Sequence, residues 1–316
     1  MNHRVHGIHH VTAIAGDPQE NLDFYLDVMG LRLVKRSVNQ DAPDTYHLFF
    51  ADGAGTPGTD LTFFPWPRMR AARAGTGMTV EVPLAIPLGG LSYWKPRLAA
   101  HGVEPGEIET RFGERSLSFR DPHGLPLALV ETDDERRFVP WDRGPVPPEH
   151  QIRGIHAVRI RERRLEPTTR LLLEVLGFET VGAEGGRHRY AAGGGSGTIV
   201  ELEAAPQEPR GAMGTGGVHH VAWRVEDDEE EMALRAGILA AGLHPTPQID
   251  RFWFRSVYFY EPGGALFELA TEGPGFDRDE APENLGERLI LPPWMEARRA
   301  AIEAALPPLE APSLPG

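Results

Sequence analysis

Short runs in which apolar side chains alternate with polar ones recur along this chain, separated by segments with helical spacing of apolar positions. The pattern is clearest over residues 217–272. GVHHVAWRV predicts a strand, and EDDEEEMALRAGILAAGL predicts a helix with apolar positions at Met232, Leu234, Ile238 and Leu239. RFWFRSVYFYEPGGALFELATE predicts further strands joined by a Pro-Gly-Gly turn, so the unit reads as βαβββ. The acidic run at the head of the helix is a solvated start whose charges suit the helix dipole.

The unit repeats. GIHHVTAIA from Gly7, GIHAVRIRE from Gly154 and GVHHVAWRV from Gly217 are copies of one strand, and RSLSFRDPHGLPLALVET (115–132) lies without a gap on RSVYFYEPGGALFELATE (255–272). Four modules follow, at 7–66, 78–132, 154–204 and 217–272. In the first, Asp17 is a helix N-cap, Pro18 takes the first helical position, Leu22, Phe24, Tyr25 and Val28 form the apolar face, and Gly30 ends the helix. The GGGSG run reads as a hairpin turn, and with no helix signal after it carries little weight as a phosphate loop. The segment DDERRFVPWDRGPVPPEHQ is charged and proline-rich. The expected fold is therefore α+β, four βαβββ modules in two domains forming open, barrel-like mixed sheets. Residues 1–132 form the N-terminal domain, 133–151 a linker, 152–272 the C-terminal domain, and 273–316 a clamping tail with one terminal helix.

Composition narrows the function. With 316 residues, 41% of them hydrophobic, the chain has ample material for its core. The net charge of −14 opposes nucleic-acid and anionic-membrane partners. The absence of cysteine removes disulfides, thiolate catalysis and thiolate metal sites together. No apolar run reaches the ~18 residues of a membrane span, and MNHRVHGIHH lacks the apolar core of a signal peptide. A cytoplasmic location is the expectation, and homo-oligomerisation is left open.

Glu268 stands among Leu266, Phe267 and Leu269, where a carboxylate is costly to bury unless it is paired or binds a metal. Since neighbouring side chains in a strand face opposite ways, only one histidine of each doublet is expected on the shared concave face. Alignment puts His10, Ala157 and His220 in one register, His9, His156 and His219 in the other, and Phe63, Ala128, Glu201 and Glu268 together on the last strands. His10, His220 and Glu268 are the candidate metal ligands. Any one of these histidines taken singly reads better as a core residue; the matched pair with Glu268 favours a metal. If modules one and two closed on each other, His10 would be stranded, so the parity argument requires module one to pair with module four.

The modules, with histidine on the first strand and glutamate on the last, resemble the vicinal-oxygen-chelate superfamily, the glyoxalase, bleomycin-resistance and dioxygenase group. More narrowly, GIHHVTAIAGDPQENLDFYLDVMGLRLVKRSVNQD, GGVHHVAWRV and the tail LPPW resemble ring-cleaving hydroquinone dioxygenases of the extradiol type. The resemblance implies Fe(II), with Mn(II) as an alternative, held by His10, His220 and Glu268. It also implies catalytic or substrate-binding roles for His9, Thr12, His219, Arg251 and Tyr258, with an aromatic diol and O2 as partners. Two histidines and one carboxylate suit this chemistry, because they leave metal positions open for a phenolate and dioxygen side by side. A glyoxalase-type isomerase would want a fourth protein ligand, and Phe63 is expected in that place. An isomerase or thiol transferase, or a non-enzymatic small-molecule binder, stays open on the same fold.

Overall fold

The computed structural model describes residues 3–133 and 136–310. Module one supplies β1 (Ile8–Ala15), helix α1 (Pro18–Asp23), β2 (Arg32–Asn39), β3 (Ala42–Ala51) and β4 (Asp60–Pro65). Module two supplies β5 (Met78–Pro87), α2 (Leu91–Ala100), β6 (Ile108–Arg111), β7 (Glu114–Arg120) and β8 (Pro126–Thr132). Module three contributes β9 (Gly154–Ile155), β10 (Ala157–Glu162), α3 (Leu165–Arg170), β11 (Glu179–Glu184), β12 (Arg187–Ala191) and β13 (Ile199–Ala204). Module four contributes β14 (Val218–Val225), α4 (Asp228–Ala240), β15 (Ile249–Asp250), β16 (Arg255–Tyr260) and β17 (Leu266–Thr271), and the tail ends in α5 (Arg299–Ala305). Among the described residues, no helix is long and apolar enough to cross a membrane.

The strands form two mixed sheets. One runs β15-β16-β17-β14-β1-β4-β3-β2 and the other β11-β12-β13-β10-β5-β8-β7-β6, with β9 beside β5. Module one thus shares a sheet with module four, and module two with module three, each pair joined by its first strands running antiparallel. Each sheet draws strands from both sides of the 133–151 segment. That segment packs on module one: Gly53 N donates to Val139 O and Val139 N to Asp52 Oδ2, while Trp141 and Val146 are buried. The two connectors that carry the chain between sheets meet each other, with bridges Ala71 to Thr215, Arg73 to Ala212 and Thr76 to Arg210.

Local chemistry explains the helices. Asp17 Oδ1 accepts from Gln19 N and Glu20 N, Pro18 opens α1, and the helix continues as a wide turn over Phe24–Val28 until Gly30 at φ 67° ends it. Leu22, Phe24, Tyr25 and Val28 are all buried, and Tyr25 packs on Phe50 and Phe63 at 5.2 and 4.5 Å between ring centres. In α4 the buried stripe is Glu231, Leu234 and Ile238. Met232 and Leu239, expected on that stripe, are 42% and 45% exposed, because they lie to one side of the line that turns Leu234 and Ile238 inward.

The second sheet fills its concave centre with ion pairs. Arg159 donates to Glu81 at 2.5 Å and to Glu201 at 2.8 Å, and Arg189 donates to Glu201 at 2.7 Å and to Glu114 at 2.6 Å. His156, the counterpart of His219, is buried and bonds Ser196 Oγ through Nδ1 at 2.9 Å. Glu201 and both arginines are almost fully buried. Glu201→Ala should therefore cost about 3–5 kcal/mol, since it leaves two guanidiniums without their shared carboxylate. Denaturant unfolding checks this, and a loss below about 1 kcal/mol would contradict it.

A carboxyl pair joins the two sheets. Glu162, at the end of β10, faces Glu261, whose oxygens already accept from Gly263 N, Ala265 N and Thr168 Oγ1. Burial first, then the charge and hydrogen bond of Glu261, push the Glu162 carboxyl from its ordinary 4.5 up to about 9. Between those two values the folded chain holds a proton that the unfolded chain has released, so stability falls as pH rises through the window and levels off above about 9. Glu162→Gln is neutral throughout. Its midpoint of unfolding should change less between pH 6 and 9 than that of the parent chain, and equal slopes would refute the assignment.

Candidate metal centre

Three neighbouring strands of the first sheet, β17, β14 and β1, bring Glu268, His220 and His10 to one point. His10 Nε2 lies 3.1 Å from His220 Nε2, and Glu268 Oε2 lies 3.0 Å from His220 Nε2 and 3.4 Å from His10 Nε2. All three side chains are buried, and their ligand atoms fall within 4.8 Å of one another. Ser256 Oγ donates to Glu268 Oε1 at 2.6 Å, whereas Oε2, turned to the imidazoles, has no hydrogen-bond partner. Burial pushes the Glu268 carboxyl up, but the electrostatic pull of His10 and His220, 3.4 and 3.0 Å away, outweighs it and holds the group well below the usual range. Burial also lowers His220, against the pull of Glu268.

The other histidine of each doublet is expected on the opposite face, and here the structure differs. In the β1–β14 ladder Ile8 faces Trp223 and His10 faces Ala222, so His9 is an extra residue; Thr12 faces His220 and Ala13 faces Val218, so His219 is another. Each is a bulge, and a bulge re-aims side chains that strict alternation would send apart. His9 Nδ1 lies 2.9 Å from His10 Nδ1 and His219 Nδ1 lies 2.8 Å from His220 Nδ1. Burial, then the neighbouring ligand histidine, lowers both His9 and His219 to about 3, so both are neutral near pH 7. A neutral partner at Nδ1 fixes the tautomer and ring plane of the histidine that it touches.

A cleft of about 360 Å³ opens on His10 and His220. Tyr258 lies opposite Glu268 in the sheet, with its ring 5.7 Å from that of His220, and its hydroxyl accepts from Arg251 Nε at 3.3 Å. Burial, then the Glu268 charge, raises the Tyr258 hydroxyl well above its ordinary value, so it stays protonated. Arg251 Nη2 donates to Asp41 Oδ2 at 2.9 Å, and Gln40 Nε2 donates to Arg251 O at 2.9 Å. His219, Tyr258 and Arg251 line the cleft. His9 lies behind His10, against Phe254. Thr12 does not reach the cleft: it is buried, with Oγ1 2.7 Å from Thr62 Oγ1.

Thr62 also corrects the alignment of Phe63. Thr12 faces Thr62 as Ala222 faces Glu268, and Phe49 faces Thr62 as Tyr258 faces Glu268. Thr62 therefore holds the register of Glu268, while Phe63 points into the core against Tyr25 and Phe50. The hairpin loops of the two modules differ in length, which hides this one-residue offset. The position of a fourth ligand is thus a threonine hydroxyl that is already bonded to Thr12 and to His47 Nε2. His47, Phe49, Phe64, Trp253 and Phe254 are cleft residues that the sequence reading missed. The alternation of His47 and Phe49 with Leu48 and Phe50 was the available signal.

The loop between β15 and β16 carries Arg251, Phe252, Trp253 and Phe254. Phe252 has φ 78°, a left-handed conformation that is costly for a bulky residue and must be held by its surroundings. The tail holds it. Arg278 Nη1 donates to Phe252 O, Gly275 N to Trp253 O, and Trp253 Nε1 to Asp279 Oδ2. Lys35, fully buried on β2, donates to Phe276 O, Asp279 and Glu280, and so fixes the tail to module one.

The donor set fits a divalent transition ion: two imidazole nitrogens whose other nitrogens are engaged, and a buried carboxylate oxygen with no donor of its own. Residues 7–129 and 154–269 match the Glyoxalase/Bleomycin resistance protein/Dioxygenase superfamily. The chain is 43% identical over 310 residues to the Bacillus subtilis (strain 168) protein named "Putative ring-cleaving dioxygenase MhqO", covering 98% of each. It is 35% identical over 303 residues to the chlorohydroquinone/hydroquinone 1,2-dioxygenase of Sphingobium indicum, covering 93% of each. A solved Bacillus subtilis structure superposes with a TM-score of 0.92 at 42% identity, covering 97% of this chain and 98% of that one. On its fold, its repeated modules and these matches, the chain belongs to the Glyoxalase/Bleomycin resistance protein/Dioxygenase superfamily.

Proposed function

We propose that this chain is a ring-cleaving dioxygenase that opens an aromatic diol of the hydroquinone type with O2, using Fe(II) held by His10, His220 and Glu268. The observation that carries the reading is the buried pair of imidazoles and lone carboxylate at the floor of an aromatic-walled cleft, in a chain related over nearly its full length to proteins named as ring-cleaving dioxygenases. Manganese suits the same donors. Cleavage beside the hydroxyl-bearing carbon, the extradiol mode, is the finer part of the proposal.

The bound ion would supply the redox chemistry by which dioxygen is activated beside the ring. The protein groups have separate tasks. Phe49, Phe64, Trp253 and Phe254 wall the cleft and exclude water from the ring faces. If His220 uses Nε2 as a ligand, its proton is on Nδ1 and is donated to His219 Nδ1, which leaves the His219 proton on Nε2 as a donor. His9 holds His10 in the same way. Tyr258, protonated and bonded to Arg251, donates to an oxygen of the substrate, and the Arg251 guanidinium stabilises negative charge that builds up there. Thr12 acts through Thr62 and not by touching the substrate. With Thr62 in the fourth-ligand register, three protein donors among the described residues would face the ion, which supports ring cleavage over an isomerase of the glyoxalase type.

The proposal is tested by anaerobic reconstitution with Fe(II), followed by oxygen uptake on a panel of hydroquinones and catechols. Ferrous protein should consume O2 and open the ring; equal turnover by zinc-loaded protein would sink the mechanism. His10→Ala should lose bound iron although it lies 210 residues from His220, while Glu201→Ala should keep it, because Glu201 belongs to the ion-pair cluster of the other sheet. Iron content by elemental analysis separates the two.

Tyr258→Phe should retain iron and slow turnover by about 10²-fold, the size of a lost acid or oxyanion contact. Unchanged turnover would return Tyr258 to a packing role.

A further inference from the structure

His47 stands on β3, two strands from His10 in the order β1-β4-β3. At a strand spacing of about 4.8 Å, its backbone lies roughly 10 Å along the sheet from the strand that carries His10. Its ring is 3.8 Å from Phe49 and 4.4 Å from Phe64 between centres, and its Nε2 is 2.9 Å from Thr62 Oγ1. Thr62 is braced in turn by Thr12, and both threonines are fully buried. The ring is thus fixed in plane and position. Its other nitrogen, Nδ1, has no hydrogen bond among the described residues, and the side chain lines the cleft.

Beside the metal triad, His219 Nε2 and the Tyr258 proton are turned to the reacting oxygen, and the polar groups farther along the cleft are engaged. Tyr258 bonds Arg251, and Arg251 bonds Asp41. Asn39 Oδ1 accepts from the turn backbone, and Gln40 bonds Arg251 O. A half-buried imidazole held between two phenylalanines by one nitrogen offers the other to whatever fills the cleft, since a polar atom confined among apolar walls is costly without a partner.

We infer that His47 Nδ1 binds the second hydroxyl of a 1,4-dihydroxybenzene whose first oxygen lies at His10, His220 and Glu268, so that His47 selects para over ortho diols. The inference rests on the ring-cleavage reading above and adds the residue that reads the second hydroxyl. In a 1,2-diol the second oxygen sits on the adjacent carbon, close to the metal triad and far from β3. In a 1,4-diol it sits across the full width of the ring, toward the strand two places away. Phe49 and Phe64, which hold the imidazole, then flank the same ring.

The test is equilibrium binding under anaerobic conditions to Fe(II)-loaded protein, with hydroquinone, catechol and phenol as probes. The parent chain should bind hydroquinone about tenfold tighter than phenol, as one added hydrogen bond gives. In His47→Phe hydroquinone should fall to the level of phenol, while phenol affinity and iron content stay unchanged. Equal weakening of hydroquinone and phenol would make His47 a packing residue, and a retained preference for hydroquinone would place the contact elsewhere. Thr62→Val, which removes the hydroxyl that holds the ring, should give the same selective loss in smaller measure, and it decides the matter if His47→Phe does not fold. Oxygen uptake by the parent chain is read separately. Failure to open any diol would overturn the ring-cleavage reading, whereas uptake with no hydroquinone preference in binding would overturn only this one.

Discussion

The antiparallel seam between β1 and β14 is the constraint on which the rest depends. It joins the first strand of module one to the first strand of module four across two-thirds of the chain, and the two histidines whose Nε2 atoms meet at 3.1 Å stand one on each side of it. A pairing this distant in sequence costs chain entropy that local contacts cannot return. It is stabilised by the sheets that continue on both sides and by α1 and α4, which bury Tyr25, Leu234 and Ile238 behind them. The seam is also irregular. Its two bulges occur at His9 and His219, so the register that closes the sheet also sets a neutral imidazole behind each inward histidine.

The second sheet solves the same geometric problem differently. Arg159 takes the register of Ala222, Glu81 that of His10 and Glu201 that of Glu268, so a guanidinium sits between carboxylates at the place corresponding to the histidine-carboxylate cluster. One repeat therefore meets its buried carboxylate with a cation built into the chain. The other leaves Glu268 Oε2 facing two imidazoles with no donor. Since a buried anion must be paired, the contrast argues physically for an exchangeable cation in the first sheet, independently of any relative.

Much of this arrangement was legible in the sequence, for identifiable reasons. Repetition exposed the four modules, and parity applied to the repeats brought His10, His220 and Glu268 together and required module one to meet module four. The bulges were not legible, because an inserted residue in a ladder leaves no compositional mark; strict alternation therefore sent His9 and His219 to the wrong face. Thr62 was displaced by one position because the hairpin turn of module one, GAGTPG, has no equal in module four. His47 was missed because its counterpart by register is Ser256, so the repeat offered no matching imidazole. The pairing of Lys35 with Asp279 and Glu280 has no period to reveal it, since the partners are joined only by the fold.

These omissions share a pattern. The residues visible through repetition stand at positions that the modules share, and those of modules one and four make the floor of the cleft. The residues that were not visible lie on its walls, on the β2–β3 hairpin, on the loop segment of Phe252 to Phe254, and on the tail that pins it. The strained φ of Phe252 belongs to this second set, and its cost is borne by Arg278, Asp279 and buried Lys35 rather than by the sheet. A repeated scaffold that fixes the reactive centre, with unrepeated segments that shape what reaches it, lets the cleft walls change without disturbing the seam. On this fold the identity of the ring that enters is therefore decided by residues that the internal symmetry does not constrain.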